Sequence, residues 1–454
     1  MTQHNASAAP KYRAYTLNNI HTTPQFENLT AGQREALETV GRVLPFKTNG
    51  YVVDELINWD NIPDDPMFVL TFPQRDMLRD EHYRQMREAL QHGEHSAEVE
   101  QTVQHIRGQL NPHPAGQMEH NVPEIYGQKL TGLQHKYRET VLFFPSNGQT
   151  CHAYCSFCFR WPQFVGDDAM KFAMRETSLL VDYLREHPEV TDVLITGGDP
   201  MIMSARNLKQ YIEPLIEADL PNLQNIRIGT KSLSYWPYRY TTDKDAHEVL
   251  ALFRRVKDSG IHLAIMGHFN HPVELETPAV EEAIERVLET GAQIRTQSPV
   301  MRNINDDPEV WAEMWRRQVS LGMIPYYMFV ARDTGAQHYF SVPLVRAWDI
   351  YRNAIKQVTG IARTVRGPSM STDPGKVQVL GAADVGGKQV LALSFLQGRN
   401  PDWVNRPFFA AYDEQATWLS DLRPAFGEEE FFYEPELRQM FEDDKRREGE
   451  LALV

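Results

Sequence analysis

The clearest regularity in the chain is a series of short apolar runs, rich in Val, Ile, Leu and aromatic residues, that begins at residue 141. They fall at Val141–Phe144, Val193–Thr196, Ile226–Gly229, Leu263–Met266, Ile294–Gln297 and Pro325–Val330. Each is too short for a helix and reads as a buried strand. The segments between them carry helical periodicity. In one, Thr277-Pro278 supplies an N-cap and a first-turn proline, Val280, Ile284, Val287 and Leu288 form one apolar stripe, and Gly291 closes it. Strand and helix alternating at roughly 30 residues per unit predict parallel strands with right-handed crossovers. Six such units predict an open, partial barrel, with a seventh short strand at Ala362–Val365.

The pattern differs on either side. Residues 16–135 read as a helical, loop-rich region. Leu78–Leu90 has helix-forming composition, and Ser96 caps a stretch to Leu110 whose Val99, Val103, Ile106 and Leu110 share a face. Asn58–Met67, punctuated by Pro and Asp, reads as a loop. Residues 1–15 read as a flexible polar tail. After Lys376, Val377–Leu380 and Val390–Leu393 flank Gly386-Gly387 like an antiparallel hairpin, and residues 430–454 are charged and helical in character. The expected organisation is a tail at 1–15, a helical region at 16–135, a partial barrel at 136–370 and a small α+β extension at 371–454.

Composition narrows the classes. With 454 residues, 42% of them hydrophobic and 10% aromatic, the chain has ample material for packed cores, which excludes disordered and low-complexity classes. Its 46 basic against 61 acidic residues give a net charge of −15, which argues against a nucleic-acid partner. No apolar run approaches the length of a membrane span, and residues 1–15 hold no apolar signal core; a cytoplasmic protein is expected.

The three cysteines all fall in Cys151-His-Ala-Tyr-Cys155-Ser-Phe-Cys158. An odd, clustered set in such a chain points to metal or cluster ligation, not to disulfides. Three thiolates on a short loop suit three irons of a [4Fe–4S] cubane, leaving the fourth iron open to S-adenosylmethionine. The alternative is a structural zinc site built from the same thiolates plus His152, in a binding protein without catalysis.

The other reactive residue types also follow predicted strands: Gly197-Gly198-Asp199-Pro200 the second, Thr230-Lys231 the third, His268-Phe-Asn-His271 the fourth, Gln297 the end of the fifth, and Arg332-Asp333 the sixth. In a parallel α/β barrel the carboxyl ends of the strands share one face, where sites are built. Convergence of six elements on that face makes an enzyme the leading class.

These motifs together resemble the radical S-adenosylmethionine enzymes, and among them the lysine 2,3-aminomutase family. The likeness rests on Tyr137-x3-Val-Leu-Phe-Phe144, the cysteine loop with Phe159-Arg160, Val193-Leu-Ile-Thr-Gly-Gly-Asp-Pro200 and Ile226-Arg-Ile-Gly229. It continues through Gly267-His-Phe-Asn-His-Pro272, Gln297-Ser298, Pro325-Tyr-Tyr327 and Lys376. The resemblance implies a radical S-adenosylmethionine barrel in which Cys151, Cys155 and Cys158 hold a [4Fe–4S] cluster. It implies that Gly197, Gly198, Asp199, His268 and Gln297 contact S-adenosylmethionine. It also implies pyridoxal phosphate on Lys376 as a Schiff base, with Lys388 the runner-up, and Tyr137 packed on the cofactor ring. Arg160 corresponds to the arginine that holds the substrate carboxylate.

Two positions depart from the family. Thr140 stands where the family has the arginine that grips the cofactor phosphate, with Arg138 two positions away as a substitute. Of the two aspartates that hold a lysine substrate's distal ammonium, Asp333 is a candidate for one. The other falls at Ser369, near Arg363 and Arg366. The implied function is migration of an amino group from the α- to the β-carbon of a free amino acid other than lysine. A flavodoxin or ferredoxin is the implied electron donor. A radical enzyme on the same scaffold with another reaction and no pyridoxal phosphate is the alternative. The N-terminal helical surface leaves room for a homo-oligomer.

Overall fold

A computed structural model describes residues 10–93, 96–111, 121–165 and 173–451. Residues 1–9 of the expected tail and residues 452–454 of the expected C-terminal helix lie outside the described residues.

One eleven-stranded sheet organises the chain, and its spatial order follows the sequence. Its strands are β1 Leu133–Tyr137, β2 Thr140–Phe143, β3 Asp192–Ile195, β4 Asn225–Thr230, β5 His262–His268 and β6 Gln293–Val300. Then come β7 Ile324–Val330, β8 Arg366–Ser371, β9 Gly375–Val385, β10 Lys388–Gly398 and β11 Pro407–Ala411. Strands β2 to β8 pair in parallel, each with the next. Six helices make the crossovers: Thr177–Glu186, Ala205–Glu217, Ala246–Asp258, Pro278–Leu288, Pro308–Ser320 and Leu344–Lys356. This is the expected α/β architecture, a TIM-like partial barrel of six βα units. The sheet is open, since β1 and β11 are its two ends.

Local chemistry explains the elements. Thr277 accepts a hydrogen bond from the Val280 amide at 3.3 Å and Ser96 one from Val99 at 3.2 Å, so both predicted caps form. The hairpin turns at Gly386 and Gly387 with φ of +61° and +78°, values that suit a tight turn between twisted strands.

The structure moves three boundaries. The seventh parallel strand is Arg366–Ser371; residues 360–362, where the apolar run begins, form a 3-10 turn. Its sequence, Arg-Gly-Pro-Ser-Met-Ser, has no β-branched residue and so hides the strand, although Gly367 to Met370 are buried. Strand β1 falls at the edge of the stretch read as helical, and its Gln-His-Lys centre carries no apolar signal. The expected flexible tail is shorter among its described residues: Ala14–Tyr15 pairs with Thr48–Asn49.

The N-terminal helices and the barrel share one hydrophobic core, reaching from Ile20 and Val40 to Val365. A second core, with Trp403, Phe408, Phe431 and Tyr433, lies under the C-terminal strands.

Candidate active site

The cysteine loop leaves β2 and is held from two sides by backbone bonds. Gly198 donates to Gly148 carbonyl at 3.1 Å and Asp199 to Thr150 carbonyl at 2.8 Å, tying the loop to the turn after β3. From the N-terminal region, Lys47 carbonyl accepts from Tyr154 amide at 2.7 Å, and Leu70 carbonyl from Ser156 amide at 2.9 Å. The Tyr12 hydroxyl donates to His152 carbonyl at 2.8 Å. A β-carbon on Gly198 would stand 2.5 Å from the Thr150 backbone, so the Gly-Gly pair is what allows the two loops to touch.

Cys151, Cys155 and Cys158 are free thiols with partial exposure. Burial pushes all three thiols up, Cys155 to about 12. Each has a cation acting the other way: Lys47 on Cys151, Lys231 on Cys155 and Arg160 on Cys158. Such a set fits a cluster, where iron displaces the thiol proton and the cations offset the anionic sulfurs. A cubane takes one thiolate per iron. Among the described residues no three His, Cys, Asp or Glu side chains are gathered closely enough to hold a metal ion.

Beside the cysteines, the implied S-adenosylmethionine residues divide into two kinds. His268 and Gln297 are register partners on β5 and β6, both half-buried. Burial, with Lys231 behind it, holds the His268 imidazole down at about 3, so it is neutral. Asp199 is different, since both its oxygens are taken up within the protein. Oδ1 accepts from Thr230 Oγ1 at 2.6 Å and Met201 amide at 2.9 Å; Oδ2 accepts from Lys231 amide at 2.9 Å. It joins the β3 and β4 loops. His271 caps the turn at Pro272–Leu275 through Nδ1, which accepts from the Val273 amide.

The lysine end lies one strand further on. Gln297 is in register with Tyr327 on β7, and Lys376 Nζ sits 4.2 Å from the Tyr327 ring centroid and 3.1 Å from Gln397 Oε1. The Lys376 side chain is half-buried by area yet lies within dense protein. Burial pushes its ammonium down to about 7, with Arg227 and Arg366 acting in the same direction. A lysine lowered to about 7 keeps a large neutral fraction near pH 7 and is a competent imine-forming nucleophile, so this position fits pyridoxal phosphate. Lys388 is exposed at the hairpin turn.

Around Lys376 the loop is fastened by two cations. Lys136 Nζ donates to Thr372 carbonyl, and Arg399 Nε donates to Asp373 carbonyl at 2.8 Å. Lys136 is also pushed down to about 7, by burial first and then by Arg399. Tyr137 is half-buried beside Arg399 and Arg332, and burial raises its phenol. The Arg160 and Arg332 guanidiniums lie 5.2 Å and 5.3 Å from the Phe159 ring centroid, and Arg160 also lies 4.7 Å from that of Phe144. Burial lowers Arg160 to about 10, and Arg332 adds to the effect. Asp333 is half-buried next to Arg332.

The departures from the family are now placed. Thr140 Oγ1 donates to Asp192 Oδ2 at 2.9 Å, and Asp192 in turn pairs with Arg227. Arg138 is exposed at the turn between β1 and β2. Ser369 is fully buried and donates to Met328 carbonyl at 3.5 Å. Arg363 is exposed and bonds Val358 carbonyl, whereas Arg366 acts on Lys376. Sequence reasoning missed Lys136, Lys47 and Tyr235. The lysine next to Tyr137 was the one visible signal.

No protein-family model matches the chain. It is 31% identical over 397 residues to an Aquifex aeolicus (strain VF5) protein named "Putative L-lysine 2,3-aminomutase", covering 87% of this chain and 92% of that one. It is 26% identical over 306 residues to the L-lysine 2,3-aminomutase of Bacillus subtilis (strain 168), covering 66% of this chain and 59% of that one. It is 27% identical over 236 residues to the L-lysine 2,3-aminomutase of Clostridium subterminale, covering 52% and 53%. Against solved structures the likeness is loose: for Streptococcus suis SuiB bound to precursor peptide SuiA, the TM-score is 0.35 at 11% identity, covering 57% of this chain and 51% of that one. The chain belongs to the radical S-adenosylmethionine enzymes, and within them to the lysine 2,3-aminomutase family.

Proposed function

We propose that this protein is a cytoplasmic, pyridoxal phosphate-dependent amino acid 2,3-aminomutase that moves the amino group of a free amino acid other than lysine from its α- to its β-carbon. The observation that carries the reading is the succession of register positions from His268 through Gln297 to Tyr327, with the Lys376 ammonium over the Tyr327 ring. This supports a reading in which the two cofactors lie next to each other, since Lys376 reaches from β9 over the β7 residue that is in register with Gln297, and a radical transfer between them requires such proximity. When bound, S-adenosylmethionine on a reduced cluster supplies hydrogen-abstracting power, and pyridoxal phosphate supplies the carbonyl carbon that takes the amino group.

The chain's own groups do the rest. Cys151, Cys155 and Cys158 would hold the cluster, and a flavodoxin or ferredoxin would be its electron donor. His268 and Gln297 line the S-adenosylmethionine side, while Asp199 orients the Gly197-Gly198 turn from behind. Lys376 offers a neutral amine near pH 7. Arg160 holds the substrate carboxylate by two parallel hydrogen bonds, with the buried Phe144 ring packed against its guanidinium. Asp333 and Arg332 face the distal end of the substrate. With Ser369 in place of a carboxylate, a distal ammonium would lack half of the family's usual grip, which supports a substrate other than lysine.

The first test is the iron, sulfide and pyridoxal phosphate content of protein purified and reconstituted without oxygen. About four irons and one pyridoxal per chain are expected, with an imine absorbance that Lys376→Ala abolishes. Polar and acidic amino acids should then yield β-amino products faster than lysine does. Four irons without pyridoxal would sink the amino-migration reading and favour a radical enzyme of another reaction. Thr140 favours that second reading, because its hydroxyl is committed to Asp192 and the exposed Arg138 does not replace the missing phosphate arginine.

A further inference from the structure

Tyr235 reaches a cysteine sulfur from outside the cysteine loop. It ends the short helix Ser232–Tyr235, directly after β4, and is 1% exposed. Its hydroxyl lies 3.7 Å from Cys155 Sγ. The ring is held in place by Lys231, whose Nζ sits 4.4 Å from the ring centroid. Lys231 is itself fixed by an ion pair with the fully buried Glu274 and by Asn270 Oδ1 at 2.8 Å. Glu274 also accepts from Ser234 Oγ and from the amides of Asn270 and His271. The Tyr235 carbonyl accepts from Asn49 Nδ2 at 3.0 Å, which pins its backbone to the N-terminal region. Nothing in this arrangement is explained by packing alone, because a phenylalanine would fill the same space.

We propose that Tyr235 is a positioning residue that sets the reduction potential of the iron–sulfur cluster by donating its hydroxyl hydrogen to the Cys155 sulfur. The inference rests on the cluster reading above. As a thiol, Cys155 donates to the phenol oxygen. As a thiolate bonded to iron it has no hydrogen, so the bridge persists only if the phenol donates. A hydrogen bond to a ligating sulfur draws charge from it and favours the reduced cluster. The step affected would be reduction of [4Fe–4S]²⁺ to [4Fe–4S]⁺ by one electron from the flavodoxin- or ferredoxin-type donor, which is oxidised by that electron, with no proton moved and no bond broken. The Lys231 cation acts in the same direction, and Glu274 keeps it in place.

The test is a redox titration followed by electron paramagnetic resonance, on anaerobically reconstituted full-length wild type, Tyr235→Phe and Tyr51→Phe. Tyr51 is a buried control whose hydroxyl bonds Thr277 Oγ1 at 2.6 Å. Equal iron and sulfide contents are expected in all three proteins. The Tyr235→Phe midpoint should move to a more negative potential, and the Tyr51→Phe midpoint should stay at the wild-type value. An unchanged midpoint in Tyr235→Phe overturns the proposal. So does an equal shift in Tyr51→Phe, or iron loss confined to Tyr235→Phe, which would make the hydroxyl an assembly contact. Pulsed resonance on the reduced wild type needs no variant: an exchangeable proton at hydrogen-bonding distance from the cluster should vanish in D₂O, and its absence would overturn the proposal as well. A wild type without iron is a separate result and sinks the cluster reading itself.

Discussion

The two ends of the site follow opposite electrostatic logic. At the cysteine end, burial raises three acids, and Lys47, Lys231 and Arg160 oppose the rise. At the lysine end, burial lowers two bases, Lys376 and Lys136, to about 7, and the nearby arginines push them further the same way. The first set suits metal cations that take up thiolates. The second suits an anion, such as a phosphate or a carboxylate, that relieves crowded positive charge. Their supports differ too. The cysteine loop is fastened to the N-terminal region and the β3 turn, inside the larger core. Lys376 precedes Val377, a member of the second core. Each end would thus be completed by a ligand of the sign it lacks, and their backbone supports differ.

That contrast can be broken experimentally. The largest effect is expected from Cys155→Ala, which removes one of the three proposed iron ligands: iron content should fall and S-adenosylmethionine cleavage should drop by about 10³-fold or more. The imine absorbance at Lys376 should survive it. If it disappears, the two ends are not separate units.

Lys376→Met is the converse, losing the imine absorbance and keeping about four irons. It also carries a pH prediction. The Lys376 amine titrates at about 7 in the folded protein, against its ordinary value of 10.5. Between those values the unfolded chain binds more protons, so folding stability at this site rises with pH. Lys376→Met, free of that penalty, should be more stable than wild type near pH 6 and lose the advantage towards pH 10 in chemical denaturation. Half-maximal uptake of pyridoxal phosphate by the wild type should fall near pH 7; a midpoint near 10 would refute the lowered value.

A smaller effect is expected from Arg160→Gln. Loss of a charged two-point contact, about 1.5–3 kcal/mol, should raise KM for the amino acid roughly ten- to a hundredfold. Cluster content should not change. A selective loss of iron with an unchanged KM would make the action of Arg160 on Cys158 its main role and refute the substrate contact. The smallest is Tyr12→Phe, which removes the hydroxyl bond to His152 carbonyl and should cost about 1 kcal/mol in denaturant unfolding, without affecting pyridoxal binding.

Local pattern alone was enough for the architecture. Apolar runs of strand length, caps at Ser96 and Thr277, and the Gly386-Gly387 turn each act within a few residues, so the six crossovers and the hairpin are legible in the sequence. The cysteine loop is legible for the same reason, since its three ligands lie within one short segment. Strands β1 and β8 are not, because an edge strand with a polar centre and a buried strand without β-branched residues give no periodic signal.

What a polar side chain does was decided only by tertiary structure. The sequence offers Lys376 first and Lys388 as runner-up, and folding packs the first against Tyr327 while leaving the second in solvent. It offers Arg138 as a substitute for the phosphate arginine that Thr140 replaces, and folding turns Arg138 outward while committing Thr140 to Asp192. Asp199 becomes a brace between loops, and Tyr235 becomes the neighbour of Cys155. The physical reason is common to all four. A backbone conformation is chosen largely by neighbours in the chain, whereas the charge state and partners of a buried group depend on desolvation and on atoms that only the fold brings near.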